Sequence, residues 1–401
     1  MSAPARVNTP APAAVGPDAE PTPDARPEAT SPGWTLLGVI VVVGLGAAVD
    51  YLDSHVPAWS EGTWFGGIAG SIEFPVYAIA LGFAANALLS ALGVIDRLSA
   101  AFRTEFFIKT GLVLLGSTVN INVIVSAAAP AIIQALLMIS TVFLFTWWIA
   151  GLLRVEPHLK ALLATALSIC GVSAAVAAAG AVNAKREQLA YTAGLVVVFA
   201  LPSIFLLPWL AALLGLSAPV AGAWIGGNID TTAAVTAAGA VAGEDVLEFA
   251  AIVKMTQNAL IGFVAVGLSL WFALRVDRRG ADGTAASATR PGWREVWQRF
   301  PKFVLGFIAA SVLVSAIAAA APGLVADGSS WLSTGLASAK ALQTLCFTLA
   351  FVSIGLEFRV GALREAGWKP VLVFLAGTLC NLVVGLLYAQ ALFGWIFGGL
   401  F

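Results

Sequence analysis

Eleven long apolar runs follow one another along this 401-residue chain, at 34–51, 64–90, 105–125, 130–153, 158–183, 188–215, 219–242, 245–275, 301–322, 329–356 and 369–398. Most approach or exceed the roughly 20 residues that a helix needs to cross a bilayer. Apolar residues make up 59% of the chain and charged ones 11%, where a soluble domain carries about 25% charged. The mean hydropathy is +0.92. No single soluble core absorbs this much apolar surface. In lipid every backbone polar group must be satisfied within its own element, which leaves helices or a closed barrel. The runs are continuous, not ten-residue alternating strands, so they are helices. The expected fold is all-α, a polytopic membrane protein of about eleven transmembrane helices.

Residues 1–32 differ. They are rich in Pro and Ala and lack an apolar core, so they read as a disordered tail, not a signal peptide. Residues 33–401 then form one transmembrane transport domain, with 276–298, which contains Gly, Ala, Ser, Thr and Arg, as a cytoplasmic linker.

Lys and Arg set the orientation. Arg97, Arg103, Arg154, Lys160, the cluster from Arg275 to Lys302, Arg359, Arg364 and Lys369 fall on one side if all eleven runs cross. That side is the cytoplasm, with the N-terminus inside and the C-terminus outside an inner (cell) membrane. Lys185 and Arg186 dissent. Re-entrant segments at 158–183 and 219–242 would bring them into line, but full crossing is the simpler expectation.

A net charge of −1 gives no footprint for nucleic acid. Cys170, Cys346 and Cys380 show no ligand spacing, and two histidines make a metal or haem site a poor expectation. No phosphate-cradling loop or catalytic elbow is present. The expected partners are a lipid bilayer and a small-molecule or ion substrate, without cofactor or enzymatic chemistry; a homodimer is admissible.

Ionisable groups inside spans are costly and mark function by default. Asp230, in GGNIDTT, is a candidate coupling acid. Lys254, Gln257 and Asn258 share one helix face, and Lys340, Gln343 and Thr344 repeat the arrangement. An ammonium beside amides and hydroxyls suits an anion. The plainer alternative is that each lysine pairs with Asp230 or a backbone carbonyl. Glu73 and Lys109 lie nearer span ends, where snorkelling suffices. SICGVSA, with Ser168, Cys170, Gly171 and Ser173, and GGNIDTT, with Asn228, Thr231 and Thr232, set glycine beside short polar side chains inside apolar runs. Such positions break helices, and a half-helix starting there points its N–H groups at an anion. Cys170 is more simply a core cysteine. GxxxG spacings at Gly66–Gly70 and Gly222–Gly226 imply tight helix contacts. There is also an internal echo: SAAVAAAGAV (173–182) matches TAAVTAAGAV (232–241) in eight of ten positions.

SICGVSAAVAAAGAV with KREQLAY after it, GLVLLGSTVNI from Gly111, GEDVLEFAAIVKMTQN and SIGLEFRVGALREAGWKP together resemble the YeiH-type or UPF0324 family of bacteria, which carries a sulfate-exporter label. The resemblance spans about 35–400. It departs from the family pattern Ile-His-Asp-x-Ala-Gln-Val, which reads here Ile229, Asp230, Thr231, Thr232, Ala233, Ala234, Val235, and from the family's Thr-Arg, here Thr256-Gln257. The resemblance implies a secondary transporter of a small anion, sulfate or sulfonate-like, coupled to H⁺ or Na⁺. It also implies kinship with cation/proton antiporters, and antiport is the alternative function. It further implies inverted five-helix repeats with two interrupted helices, spans 2–6 opposite 7–11, which would cross 158–183 with 329–356 and bring SICGVSA near Lys340.

Overall fold

The computed structural model describes residues 31–60, 74–182, 184–272, 297, 300–321, 330–358 and 367–401. The tail expected over 1–32 falls almost wholly outside these residues. So do the linker at 276–298 apart from Trp297, the Gly66–Gly70 pair, Glu73, and all of the arginines between 275 and 299 and between 359 and 364.

The described chain is helical. In order the helices are α1 (Pro32–Ser60), α2 (Phe74–Ala91), α3 (Thr104–Leu115), α4 (Ile121–Leu152), α5 (Pro157–Ser168), α6 (Val172–Val182) and α7 (Arg186–Leu213). They continue as α8 (Ala218–Asn228), α9 (Thr232–Ala242), α10 (Glu244–Ala259), α11 (Ile261–Trp271), α12 (Phe303–Ala320), α13 (Trp331–Glu357) and α14 (Trp368–Ala389). A π-helical turn, Gln390–Ile396, extends α14. Eight helical stretches among the described residues are long and apolar enough to cross a membrane. Large apolar side chains such as Ile40, Leu136, Leu144, Leu313 and Val383 stand exposed, as lipid-facing residues do.

Residues that pack together set the direction of each helix. Thr104, at the start of α3, donates from Oγ1 to Glu357 Oε2 at the end of α13 (3.0 Å). Tyr191, early in α7, reaches the Gly367 carbonyl before α14 (3.3 Å). Gln188 donates to Glu156 Oε2 between α4 and α5 (2.6 Å). The His158 ring lies 5.3 Å from Phe272 at the end of α11. All of these ends therefore share one face, which also carries Arg97, Arg103, Arg154, Lys185 and Lys302. At the opposite face the Ile121 N–H meets Ser315 Oγ of α12 (3.0 Å), and Lys340 pairs with Glu244 (2.9 Å). Exposed tryptophans flank the bundle at both levels: Trp148 and Trp368 near the basic face, Trp59, Trp209, Trp331 and Trp395 near the other. Such belts mark membrane–water interfaces.

The chain between α4 and α10 departs from the expected eleven crossings. Gly222 of α8 lies against Val246 and Phe249 of α10, and Gly226 against Ala250, so α8 and α10 run parallel. Gly239 of α9 lies against Leu247, while Thr232 bonds to Asn258, so α9 runs antiparallel to α10. Hence α8 and α9 form a re-entrant hairpin. The segment 158–183 does the same from the basic face. Ala161 and Leu162 at the start of α5 cluster with Ala178 and Val182 at the end of α6. Arms of 11 and 12 residues reach about 16–18 Å, roughly half of the ~30 Å hydrocarbon core. Each arm therefore stops near mid-depth. α10 and α11 make one crossing, bent at Leu260. α3 with the turn to Asn120 makes another, shorter than the rest. Among the described residues, nine crossings and two hairpins replace the eleven crossings. Lys185 now falls on the basic face with Arg154, which removes the dissent seen in the sequence.

The expected pairing of 158–183 with 329–356 is also absent. α13 is continuous from Trp331 to Glu357 and packs between α2 and α3. Gly82 of α2 lies with its backbone against Val352 and Gly355 of α13. The internal echo finds its place instead. Residues 173–182 lie in α6 and 232–241 in α9, the returning arms of two hairpins that enter from opposite faces. The echo thus relates two returning arms, each followed by a crossing.

Candidate functional site

The first hairpin turns at Gly171, and the second turns over Ile229–Thr231, just after the Gly226–Gly227 pair in the last turn of α8. α5 ends at Ser168, Ile169 leaves helical geometry (φ −127°, ψ −85°), and Gly171 takes φ +61°, a left-handed conformation that glycine adopts without a Cβ clash. α8 ends at Asn228, Ile229 is extended (φ −71°, ψ 131°), and Thr231 caps α9 by accepting the Ala234 N–H (3.1 Å). The two tips touch. A Cβ added at Gly171 would sit 3.1 Å from the Asp230 carbonyl oxygen and 3.3 Å from its Cβ.

Side chains from neighbouring helices tie the tips together. Lys254 Nζ donates to the Ile169 carbonyl (2.7 Å) and to Gln257 Oε1 (3.0 Å). Gln257 Nε2 donates to the Gly227 carbonyl (3.1 Å). Asn258 Nδ2 donates to Thr232 Oγ1 (3.0 Å). From α14, Asn381 Nδ2 donates to the Asn228 carbonyl (3.0 Å) and lies 3.5 Å from that of Leu167. From α4, Gln134 donates to the Ala223 carbonyl (2.7 Å). Lys254, Gln257 and Asn381 answer one requirement: the last carbonyls of a helix have no intrahelical partner, and buried ones need a donor. Lys254 is 1% exposed and Asp230 6%. Their charges act on each other, but among the described residues the Asp230 carboxylate makes no hydrogen bond or ion pair.

A cavity of about 700 Å³ runs from the basic face to the tips. Glu105, Lys109, Lys302 and Glu357 line its outer part, and Cys170, Ser173, Thr231, Thr232 and Asn258 its inner part. The first residues of α6 and α9 both border it, so two half-helix N-termini meet the cavity where N–H groups lack intrahelical partners. Asn258 Oδ1 is buried and has no hydrogen-bond partner among the described residues.

The site residues expected from sequence divide three ways. Cys170, Ser173, Thr231, Thr232 and Asn258 line the cavity. Ser168, Gly171, Asn228, Asp230, Lys254 and Gln257 lie behind it, in the structure that holds the tips. Ser168 Oγ turns back to the Thr165 carbonyl (3.4 Å). Lys254 follows the plainer alternative in part, since it bonds a backbone carbonyl. Lys340, Gln343 and Thr344 are elsewhere. Lys340 is half exposed and paired with Glu244, Thr344 bonds its own helix at the Lys340 carbonyl (3.1 Å), and Gln343 is buried in α13. The reason is the continuous α13, which carries that face to the side opposite the cavity mouth.

Sequence reasoning passed over Asn381, Gln134 and Glu357 as site residues. Asn381 and Gln134 are each a lone amide in an apolar run, a signal strong enough to find them, whereas Glu357 ends its helix two residues before Arg359 and reads as a span end. Among the described residues no three His, Cys, Asp or Glu side chains cluster as metal ligands.

Residues 61–374 match the family model described as "Conserved hypothetical protein 698". The chain is 37% identical over 334 residues to a UPF0324 membrane protein of Rhodopirellula baltica, covering 82% of this chain and 59% of the relative. It is 38% identical over 314 residues to a UPF0324 membrane protein of Nitratidesulfovibrio vulgaris, covering 76% and 52%. It is 28% identical over 291 residues to one from Bacillus cereus, covering 73% and 79%. The chain thus spans little more than half the length of the first two relatives. No solved structure matches.

Proposed function

The chain belongs to the UPF0324 family of membrane proteins, and from that premise we propose that it is a secondary transporter of a small anion, sulfate or sulfonate-like. One observation carries the reading: the N-termini of α6 and α9 border the inner end of a deep cavity, beside Ser173, Thr231, Thr232 and Asn258. Helix N-termini favour negative charge, and hydroxyl and amide donors orient oxyanions. Solute sites of many carriers lie at mid-membrane, where interrupted segments from inverted repeats meet. The face rich in Lys and Arg is cytoplasmic by the same reading, so the cavity opens inward, α1 begins inside, and α14 ends outside. The protein is then a carrier in the inner membrane, not an enzyme.

Antiport of a cation against protons is the second reading. Glu105 and Glu357 line the same cavity, and the Asp230 carboxylate lies behind it with no hydrogen bond or ion pair among the described residues, within reach of the Lys254 charge.

Purified protein in proteoliposomes, loaded with labelled sulfate or a small sulfonate, separates the two. The anion reading expects flux that saturates, with KM raised roughly ten-fold or more in Ser173→Ala and Thr232→Ala, the range for losing a hydrogen bond to a charged group. Flux of Na⁺ against a pH gradient with no anion requirement would replace it with antiport.

A further inference from the structure

The opposite ends of the hairpin arms are as informative as the N-termini. α5 and α8, the entering arms, finish at the tips with their carbonyls directed into the protein. Helix C-termini carry roughly half a negative charge each, and Asp230 adds a full one when ionised. The carbonyls of Leu167, Gly227 and Asn228 are met by neutral amides, Asn381 and Gln257. The Ile169 carbonyl is met by an ammonium, Lys254 Nζ at 2.7 Å, with Gln257 Oε1 as its second oxygen at 3.0 Å. A neutral donor would satisfy that carbonyl as the amides satisfy the others. Burying a full positive charge is far costlier than burying a neutral donor, so the charge itself is the feature to explain.

In carriers generally, helix C-terminal ends and unwound carbonyls at a mid-membrane break form the oxygen cage for a coupling cation. Here a side-chain ammonium sits at such a break, on the Ile169 carbonyl oxygen and Gln257 Oε1. We infer that the Lys254 ammonium is a tethered cation, occupying a site of carbonyl and amide oxygens that would otherwise take a monovalent metal ion, and that the transport cycle therefore needs no Na⁺. The inference rests on the carrier reading and names its coupling chemistry. It also fits the contacts of Lys254, which lies behind the cavity wall and holds the tip of the first hairpin.

Thermal unfolding of the full chain in detergent tests this without any substrate, so an anion assay that fails leaves the test intact. Wild-type protein is compared in 100 mM NaCl and 100 mM choline chloride, then Lys254→Ala in the same two salts. The expected result is a melting temperature within about 1 °C between salts for wild type, and a rise of several degrees in NaCl over choline chloride for Lys254→Ala, saturating with Na⁺ as specific binding to the folded state does. A folded Lys254→Ala that is indifferent to Na⁺ overturns the inference. So does a wild-type protein that Na⁺ specifically stabilises. If Lys254→Ala folds in neither salt, wild-type solute flux decides: equal rates in the two salts sustain the inference, and a requirement for Na⁺ ends it while leaving the carrier reading in place.

Discussion

Gly171 rests on Asp230, and a methyl group between the two hairpin tips would force Asp230 to give by a few tenths of an ångström. A Cβ there would also lie 2.6 Å from Val196 Cγ1 of α7. Its φ of +61° adds a backbone penalty for any residue with a Cβ, about 1–2 kcal/mol, and overpacking adds about 1–3 kcal/mol. Gly171→Ala is therefore expected to lower the melting temperature and abolish transport. Gly180→Ala, in the same hairpin, meets nothing within 4 Å and has ordinary helical φ. It should be neutral or stabilising by up to about 1 kcal/mol. Equal behaviour of the two alanines in thermal unfolding would refute the tip contact.

Asn381 connects the two hairpins through α14. It is 2% exposed, and its amide bonds the Asn228 carbonyl while lying near that of Leu167. Asn381→Leu preserves volume and removes the donor. Leaving buried carbonyls unpaired costs about 1–3 kcal/mol, so the variant should melt several degrees lower and carry solute more slowly. Asn381→Gln, which keeps an amide, should recover part of the loss. A leucine variant as stable and active as wild type would show that the hairpins need no support from α14.

The helical, many-span character of the chain was legible from the length of its apolar runs. The hairpins were not, for a physical reason. Two half-depth arms of 11 or 12 residues have the same summed hydropathy as one crossing of 24, so 158–183 and 219–242 look like ordinary spans. Two sequence signals did point to them. Lys185 and Arg186 fell on the wrong face under full crossing, and the repeated SAAVAAAGAV pattern marked equivalent returning arms. The glycines at 171, 226 and 227 located the breaks but not the change of direction, which depends on how α8 and α9 pack on α10. Lys254 and Lys340 were equivalent by local pattern and parted by context: α10 passes the tips, while α13 passes Glu244. Asn381 and Gln134 could have been found as lone amides in apolar helices.

Lys340 supplies a direct check on that division. Its ammonium meets Glu244 at 2.9 Å with both side chains half or more exposed, and exposed pairs contribute about 0–1 kcal/mol. Lys340→Ala should change the melting temperature by no more than a degree or two and, on the proposed carrier reading, leave KM for labelled sulfate or sulfonate unaltered. Loss of anion affinity in Lys340→Ala would return this lysine to the solute site and contradict the cavity described here.

Glu156 makes a prediction about pH at the basic face. It caps α5, accepting from the His158 and Leu159 N–H groups at 3.1 Å each, and it also takes Gln188 Nε2 and His158 Nδ1. Burial pushes its carboxyl up, but the hydrogen bonds from His158, Leu159 and Gln188 outweigh that and hold it below the usual carboxylate range. A depressed folded value means that the ionised form is favoured by folding. The stabilisation is present above the unfolded value, near 4.3 for glutamate, and is lost as pH falls through the lower folded value. Glu156→Gln removes the charge at all pH values and weakens the cap, at about 0.5–2 kcal/mol. The melting temperature of wild type should thus exceed that of Glu156→Gln at pH 7, and the gap should narrow below about pH 4. A gap that is constant from pH 7 to pH 3 would mean that the charge on Glu156 does not hold the first hairpin to the start of α7.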